Sequence, residues 1–122
     1  MSNTTRMLNA AGAGTVNSTD AGQFGTVSSG NFKNGILYPQ RQKDHSGLFQ
    51  VQAQGGLTGT VTLRGRLVAA DAWVNVLVVT QADWDADPLK SYATAVTIFP
   101  EMMVVSNITA GAGPAISAWL SE

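Results

Sequence analysis

Apolar and polar residues alternate along most of the chain after residue 47. In segment 48–54, Phe49, Val51 and Ala53 fall on one face and three glutamines fall on the other, as in a strand with one buried face. Segment 57–68 alternates in the same way, with apolar residues and glycine opposite threonine and arginine. The pattern predicts six strands, separated by turns, at 48–54, 57–68, 73–81, 92–99, 102–109 and 115–120.

No segment has a convincing helical periodicity, and the predicted strands follow one another about every ten residues. Strict alternation favours antiparallel pairing, because the strands of a parallel sheet are apolar on both faces. We therefore predict an all-β protein, an antiparallel β-sandwich of jelly-roll or immunoglobulin-like type, with a small barrel as the alternative. A chain of 122 residues suits one such domain.

The first 30 residues differ from the rest, because glycine, serine, asparagine, threonine and alanine predominate and large apolar residues are sparse. Such a stretch buries too little area to fold alone, so we expect an extended Gly/Ser/Asn-rich arm that becomes ordered on a packed neighbour. The next segment contains Asn34-Gly35, a two-residue hairpin signal, and Pro39, which disfavours a central strand. The expected organisation is an arm with a first hairpin at 1–45 and a sandwich core at 46–122.

Charged residues make up 12% of the chain and the formal net charge is −1. Low charge favours assembly, because little repulsion separates neighbouring copies; a low-charge monomer is the alternative. The seven basic residues are scattered, whereas nucleic acid binding requires clustered cations. The chain has no cysteine, which excludes disulfides and thiolate metal sites. Neither a signal peptide nor a membrane-spanning apolar run is evident. We expect a soluble protein with neither a nucleic acid nor a membrane as partner.

His45 is the only histidine, and it lies in a charged turn beside Asp44 and Ser46. These residue types form a catalytic triad only when they converge in space and a third group orients the base. Adjacent residues of one turn point in different directions, so we interpret this segment as a solvated turn. The chain also lacks phosphate-binding, zinc-protease and serine-hydrolase motifs. We expect no enzymatic activity and no cofactor.

Asp83, Asp85 and Asp87 alternate like the first ligands of a calcium loop. The position that such a loop fills with glycine is Pro88, and the position of its final glutamate is Thr94. We predict a solvated loop over 82–91, with weak calcium binding as the alternative.

Three tryptophans raise the possibility of a surface on which sugar rings stack. Trp73 begins a strand and Trp119 alternates with apolar residues, so both fit packing in the core or at an edge. Trp84 lies in the polar loop and is predicted to be exposed. A carbohydrate-binding β-sandwich module that uses Trp84 is therefore one functional hypothesis.

Arg64 and Arg66 lie on the threonine-rich face of strand 57–68. They are expected to pair with carboxylates of the same chain, such as Asp71 or Glu101, or to anchor a contact between subunits. The sequence leaves both interpretations open.

The second half of the chain contains four characteristic runs. They are 60–66 (TVTLRGR), Trp73-Val74 after a short turn, 98–102 (IFPEM) and the closing 116–120 (ISAWL). This order resembles a pattern of packing residues in the head decoration (cement) proteins and related small virion proteins of tailed bacteriophages. The pattern often has arginine where this chain has Met103, so no salt bridge of the family is carried over to that position.

The resemblance implies a β-sandwich that binds the outer face of an assembled capsid, often as a trimer, and stabilises the head through non-covalent contacts. The implied partners are the major capsid protein and further copies of the chain in a homotrimer. The implied location is the outer surface of the virion, after synthesis in the host cytoplasm. A tail, baseplate or head-fibre component is the alternative. The residues expected at interfaces are Phe24, Phe32, Tyr38, Arg64, Arg66 and Trp84.

Overall fold

The computed structural model describes residues 4–23, 31–40, 45–54, 56–111 and 115–122. Over these residues the chain forms two antiparallel β-sheets that pack face to face around a hydrophobic core, which confirms the predicted all-β sandwich. In chain order, the elements are β1 (Thr4–Ala11), β2 (Gly14–Asn17), β3 (Phe32–Lys33), β4 (Ile36–Leu37), β5 (Ser46–Gln54), β6 (Thr58–Arg66), β7 (Val74–Thr80), α1 (Gln81–Asp85), β8 (Ser91–Thr97), β9 (Glu101–Ala110) and β10 (Ala115–Ser121).

The four-stranded sheet has the order β1-β10-β5-β8, and the six-stranded sheet has the order β3-β4-β9-β6-β7, with β2 also paired to β9. β9 pairs with β6 along most of its length and with β2 and β4 on its other side. Alternate residues of each strand point into the space between the sheets. Phe49 and Val51 of β5 meet Val61, Leu63 and Val104 of the other sheet in this core, and all five are fully buried.

The six strands predicted from alternation are present as β5 to β10. The main difference lies at the end of β6, which stops at Arg66 and does not continue to residue 68. Leu67 and Val68 leave the sheet in a turn that is closed by a hydrogen bond from the amide of Asp71 to the carbonyl of Val68, 3.0 Å long. The apolar Leu67 continues the alternating pattern past the end of the strand, so the pattern alone extends β6 too far.

The predicted Asn34-Gly35 hairpin is confirmed between β3 and β4. Both turn residues have positive φ, 52° at Asn34 and 81° at Gly35. This geometry matches the right-handed twist of the flanking strands and explains the choice of these two residue types.

Ser18 fixes this hairpin to the six-stranded sheet. Its buried hydroxyl donates a hydrogen bond to the carbonyl of Gly35 (2.8 Å) and accepts one from the amide of Val104 (3.1 Å). A Cβ atom at Gly35 would collide with the backbone carbonyl of Ser18. The hairpin therefore requires glycine at this position for two reasons, the positive φ and the close approach of Ser18.

For the described residues of segment 1–45, the structure corrects the expectation of an arm that lies outside the core and becomes ordered on a neighbouring molecule. β1 pairs with β10, and β2 pairs with β9. Met7, Leu8 and Ala11 are fully buried. β1 has register shifts between Arg6 and Leu8 and between Leu8 and Ala11. These irregularities allow neighbouring residues such as Met7 and Leu8 both to be buried, which removes the alternating signal.

A single helical turn, α1, replaces the first part of the loop predicted at 82–91 and connects the two sheets. The amide of Thr80, the N-cap residue, donates a hydrogen bond to the carboxylate of Asp83 (2.9 Å), as in a capping box. α1 packs on strands of both sheets. Within the described ranges of the chain, no helix has the length and apolar character needed to cross a membrane.

Candidate binding surfaces

The prediction of an exposed ring at Trp84 is wrong. Trp84 is fully buried, with 0% of its surface exposed, and is one of the largest side chains in the core. The α1 turn directs this one residue inward while its polar neighbours face solvent, because side chains follow the helical period there. The indole Nε1–H has no hydrogen-bond partner among the described residues. A buried ring cannot stack on a sugar, so the carbohydrate hypothesis loses the residue on which it was based.

The other aromatic residues expected at interfaces differ in exposure. Phe32 is buried in the core at 4% exposure, whereas Tyr38 is 39% exposed. Phe24 lies outside the described residues. Of these three positions, the structure therefore presents only Tyr38 for contact with a partner.

The aspartates of the predicted calcium loop make separate local contacts. Asp83 caps α1, and Asp85 forms an ion pair with Lys90 at 3.5 Å. Asp87 accepts hydrogen bonds from backbone amides two and four residues further on, at 3.1 and 3.3 Å. Over the described part of the chain, no group of three or more acidic or histidine side chains is arranged to hold a metal ion. The structure therefore assigns these carboxylates to local hydrogen bonding in the turn.

In the described part of its turn, His45 contacts the residue that follows β8 through its backbone carbonyl. It has a positive φ of 50°, and its carbonyl accepts a hydrogen bond from the amide of Ile98 (2.9 Å). The neighbouring Lys43 and Asp44 lie outside the described residues.

Arg66 is the centre of a cluster at the base of the β6–β7 hairpin. Its Nε and Nη2 atoms both donate hydrogen bonds to Oε1 of Glu101, at 3.1 and 2.9 Å. The guanidinium carbon lies 4.1 Å from the centre of the Trp73 ring. The charged side chains are 15% and 13% exposed, so water screens their attraction only in part. The predicted pairing of Arg66 with Glu101 within the chain is confirmed, and the cluster joins β6, β9 and the residue that precedes β7.

Arg64 contributes a weaker contact to the same face. Its Nε donates a hydrogen bond to Oδ1 of Asn75 across the β6–β7 pair, at 3.2 Å. The register of this strand pair shifts between Leu63 and Arg64. Both arginines therefore bind residues of their own chain in the structure.

Apolar side chains are exposed where β6 turns into β7. Leu67, Val68 and Val74 are 62%, 54% and 49% exposed, and Trp73 is partly exposed between them in the sequence. We call these four residues the hairpin tip. The Arg66 cluster holds the base of the hairpin, so the tip projects from a fixed support. Adjacent exposed apolar residues on a rigid base are typical of protein contact surfaces.

One side of the sandwich is formed by β7 and β8, which contact each other and are connected by α1. Among the described strands, each of the two is hydrogen-bonded on one side only, since each ends the strand order of its sheet. Neither strand contains a charged residue or a proline. We call these two strands the open side. Edge strands of monomeric proteins usually carry charge, proline or a bulge that prevents pairing with another chain. Of these features, the open side has in its described pairing only the register shift between β6 and β7, because β8 pairs with β5 in regular register.

A further surface, which the sequence did not predict, lies on the outer face of the four-stranded sheet. Trp119 is partly exposed there, and the guanidinium carbon of Arg6 lies 5.4 Å from the centre of its ring. The two residues stand at opposite ends of the sequence and meet because β1 pairs with β10. Their contact depends on strand order, which alternation within single strands does not reveal.

A comparison of the chain with protein-family models finds no match, and a comparison with curated proteins finds no significant match either. The surfaces that this chain offers to a partner are the hairpin tip, the open side and the outer face of the four-stranded sheet.

Proposed function

We propose that this protein decorates the outer surface of a tailed-phage head, where it binds the major capsid protein and further copies of itself as a homotrimer. In this role it stabilises the assembled shell through surface contacts and catalyses no reaction. The observation that carries the proposal is the open side, where two uncharged edge strands lie next to each other. The resemblance of four sequence runs to phage decoration proteins gives this surface a biological setting.

The open side supports association between copies of the chain. β7 and β8 together offer two rows of backbone amides and carbonyls with no charged side chain to repel a neighbour. Pairing of β7 with β7 of a second copy would create a two-fold contact, which closes as a dimer. A trimer requires a different arrangement, in which β7 of one copy pairs with a different edge strand of the next copy. β8 suits this arrangement, because it is on the same side of the sandwich and pairs with β5 in regular register.

The hairpin tip is the surface that we assign to the capsid. Complete burial of a leucine or valine side chain contributes roughly 1.5–3 kcal/mol, so the half-exposed Leu67, Val68 and Val74 each offer about 1 kcal/mol. The sum for one copy is a few kcal/mol, which is too little for stable attachment of a monomer. Three tips on one trimer bind together, and the second and third contacts benefit from the effective concentration that the first provides. The weakness of one tip is therefore consistent with a trimeric protein.

The test is reattachment of purified protein to phage particles that were produced without it, followed by density-gradient centrifugation. Wild-type protein is expected to sediment with the particles up to a saturating copy number. The variant Val68→Asp places a charge on the tip and is expected to remain at the top of the gradient. The matched control is Leu89→Asp, because Leu89 is 75% exposed and lies at the opposite end of the sandwich; it should bind like the wild type. Circular dichroism and thermal unfolding confirm that both variants are folded.

Failure of the wild-type protein to bind particles would contradict the capsid proposal as a whole. Normal binding of Val68→Asp would contradict only the assignment of the hairpin tip to the capsid.

A further inference from the structure

The outer face of the four-stranded sheet carries a row of three large side chains on adjacent strands. Trp119 of β10 stands opposite Gln50 of β5 and opposite Arg6 of β1. Adjacent strands are about 4.8 Å apart, so the row spans about 10 Å at the level of the backbone. Gln52 and Ser117 form a parallel pair beside it, because they also stand opposite each other. Together, these five residues form what we call the Trp119 platform.

Contacts with neighbouring residues hold the platform side chains in place. Nη2 of Arg6 donates a hydrogen bond to the hydroxyl of Ser117 at 3.0 Å, while the guanidinium carbon lies 5.4 Å from the centre of the Trp119 ring. The amide nitrogen of Gln50 donates to the hydroxyl of Ser91 (3.0 Å).

Gln52 is oriented in the same way. Its amide nitrogen donates to the carbonyl of Leu89 at 2.6 Å. Because the NH₂ groups of both glutamines are directed toward the protein, their side-chain carbonyls are the groups left to accept hydrogen bonds from a ligand. The platform thus combines an aromatic ring, two oriented amides and a cation that are already in position before any ligand binds.

The strands of this face carry a positive charge and no negative charge. Arg6 is the only charged residue in β1, β5, β8 and β10, and these four strands contain no carboxylate. On these strands a ligand meets one positive charge and no carboxylate, while in the adjoining loop the carboxylate of Asp87 accepts hydrogen bonds from the amides of Leu89 and Ser91. Charge complementarity therefore favours a ligand with a low density of negative charge.

From this arrangement we infer that the Trp119 platform binds a polysaccharide that contains uronic acid units. An aromatic ring packs against the apolar C–H face of a sugar, the glutamine carbonyls accept hydrogen bonds from its hydroxyls, and Arg6 binds the carboxylate through its remaining N–H groups. A nucleic acid fits less well, because its affinity depends on several cations that neutralise phosphates, and the platform has one. The site lies away from the hairpin tip, so it goes beyond capsid attachment and would allow a particle-bound protein to adhere to sugar chains on a cell surface.

The test is isothermal titration calorimetry of the full chain with polygalacturonate, alginate and hyaluronate, and with neutral dextran for comparison. At least one of the uronate chains is expected to bind, and dextran is not. Trp119→Ala should lower the affinity by about tenfold or more, and Arg6→Gln should lower it by a smaller factor and remove most of its dependence on salt. Trp119→Phe retains an aromatic ring and should recover part of the binding.

The matched control for Arg6→Gln is Lys33→Gln, which removes an exposed positive charge from β3 of the other sheet and should bind like the wild type. In ¹⁵N-edited NMR spectra, addition of the bound polysaccharide should shift the indole signal of Trp119 and leave that of the buried Trp84 unchanged. Absence of binding to all three uronate chains would overturn the inference, as would equal binding of dextran or wild-type affinity in a folded Trp119→Ala variant. None of these outcomes bears on capsid attachment, which is measured separately with particles.

Discussion

Replacing Glu101 with glutamine removes the negative charge that holds Arg66 beneath the hairpin tip, while the shape of the side chain is kept. In the wild type, Oε1 of Glu101 accepts two hydrogen bonds from one guanidinium, and the same guanidinium stacks over Trp73. The companion variant Arg66→Met removes the cation and keeps most of the aliphatic side chain. Together with the double variant, these two changes measure the pair by a double-mutant cycle.

The expected loss in the free energy of unfolding follows from the burial of the Arg66–Glu101 pair. Hydrogen bonds to charged groups contribute about 1.5–3 kcal/mol, whereas fully exposed ion pairs contribute about 0–1 kcal/mol. With side chains that are 15% and 13% exposed, the Arg66–Glu101 pair belongs near the lower end of the first range. We expect Glu101→Gln to lower the free energy of unfolding by about 2 kcal/mol. Arg66→Met should cost slightly more, because the contact with Trp73 is also lost, at about 0.5–1 kcal/mol.

Urea denaturation and thermal unfolding of the four proteins provide the measurements. The double variant should be destabilised by about 1 kcal/mol less than the sum of the single variants, and each single variant should unfold about 5–10 °C below the wild type. Since the pair is mostly shielded from water, moderate salt should change the coupling little. A coupling energy below about 0.3 kcal/mol would show that the cluster does not brace the hairpin, and the rigid support assigned to the tip would be refuted.

Further predictions concern the core, the first hairpin, the open side and the aspartate loop. Trp84→Ala should lower the free energy of unfolding by about 3–5 kcal/mol, and acrylamide should quench Trp84 fluorescence weakly; strong quenching would show an exposed ring. In thermal unfolding, Gly35→Ala should destabilise the protein by more than about 1 kcal/mol, because a residue with a side chain is strained at positive φ. Gly56→Ala should be nearly neutral, because the space around Gly56 is open. Val78→Lys adds charge to the edge of β7 and should convert the proposed trimer to monomer in size-exclusion chromatography with light scattering, while Ala70→Lys in the exposed turn should not; a variant that assembles like the wild type would remove β7 from the interface. Calcium should leave the melting temperature of the protein unchanged, because the carboxylates of the 83–87 segment do not converge, and a clear upward shift would restore the calcium interpretation.

Strand β5 was predictable because it has one buried face and pairs with both neighbours in regular register. Under those conditions the period of two in the backbone appears directly in the sequence, as in Phe49, Val51 and Ala53. The hairpin at Asn34-Gly35 was predictable for a different local reason, the need for positive φ at both turn residues. In each case the information lies within a few neighbouring residues.

Features that depend on irregular or distant contacts were not predictable in this way. β1 is part of the core, but its register shifts remove the alternation that would have identified it. Trp84 is buried because one helical turn directs it inward, whereas the polar residues around it indicated a loop. The Trp119 platform depends on pairing between the first and last strands, and no local pattern contains that pairing. Strand order had to be known before Arg6 and Trp119 could be recognised as neighbours.

The most direct test of the proposed function is the copy number of this chain in phage particles. Particles purified from the source lysate are digested, and quantitative mass spectrometry compares the chain with the major capsid protein. A head decoration protein is expected in near-stoichiometric amounts relative to the capsid subunit. A small number of copies per particle would instead place the protein in the tail, the baseplate or a head fibre, and its absence from purified particles would contradict a structural role in the virion.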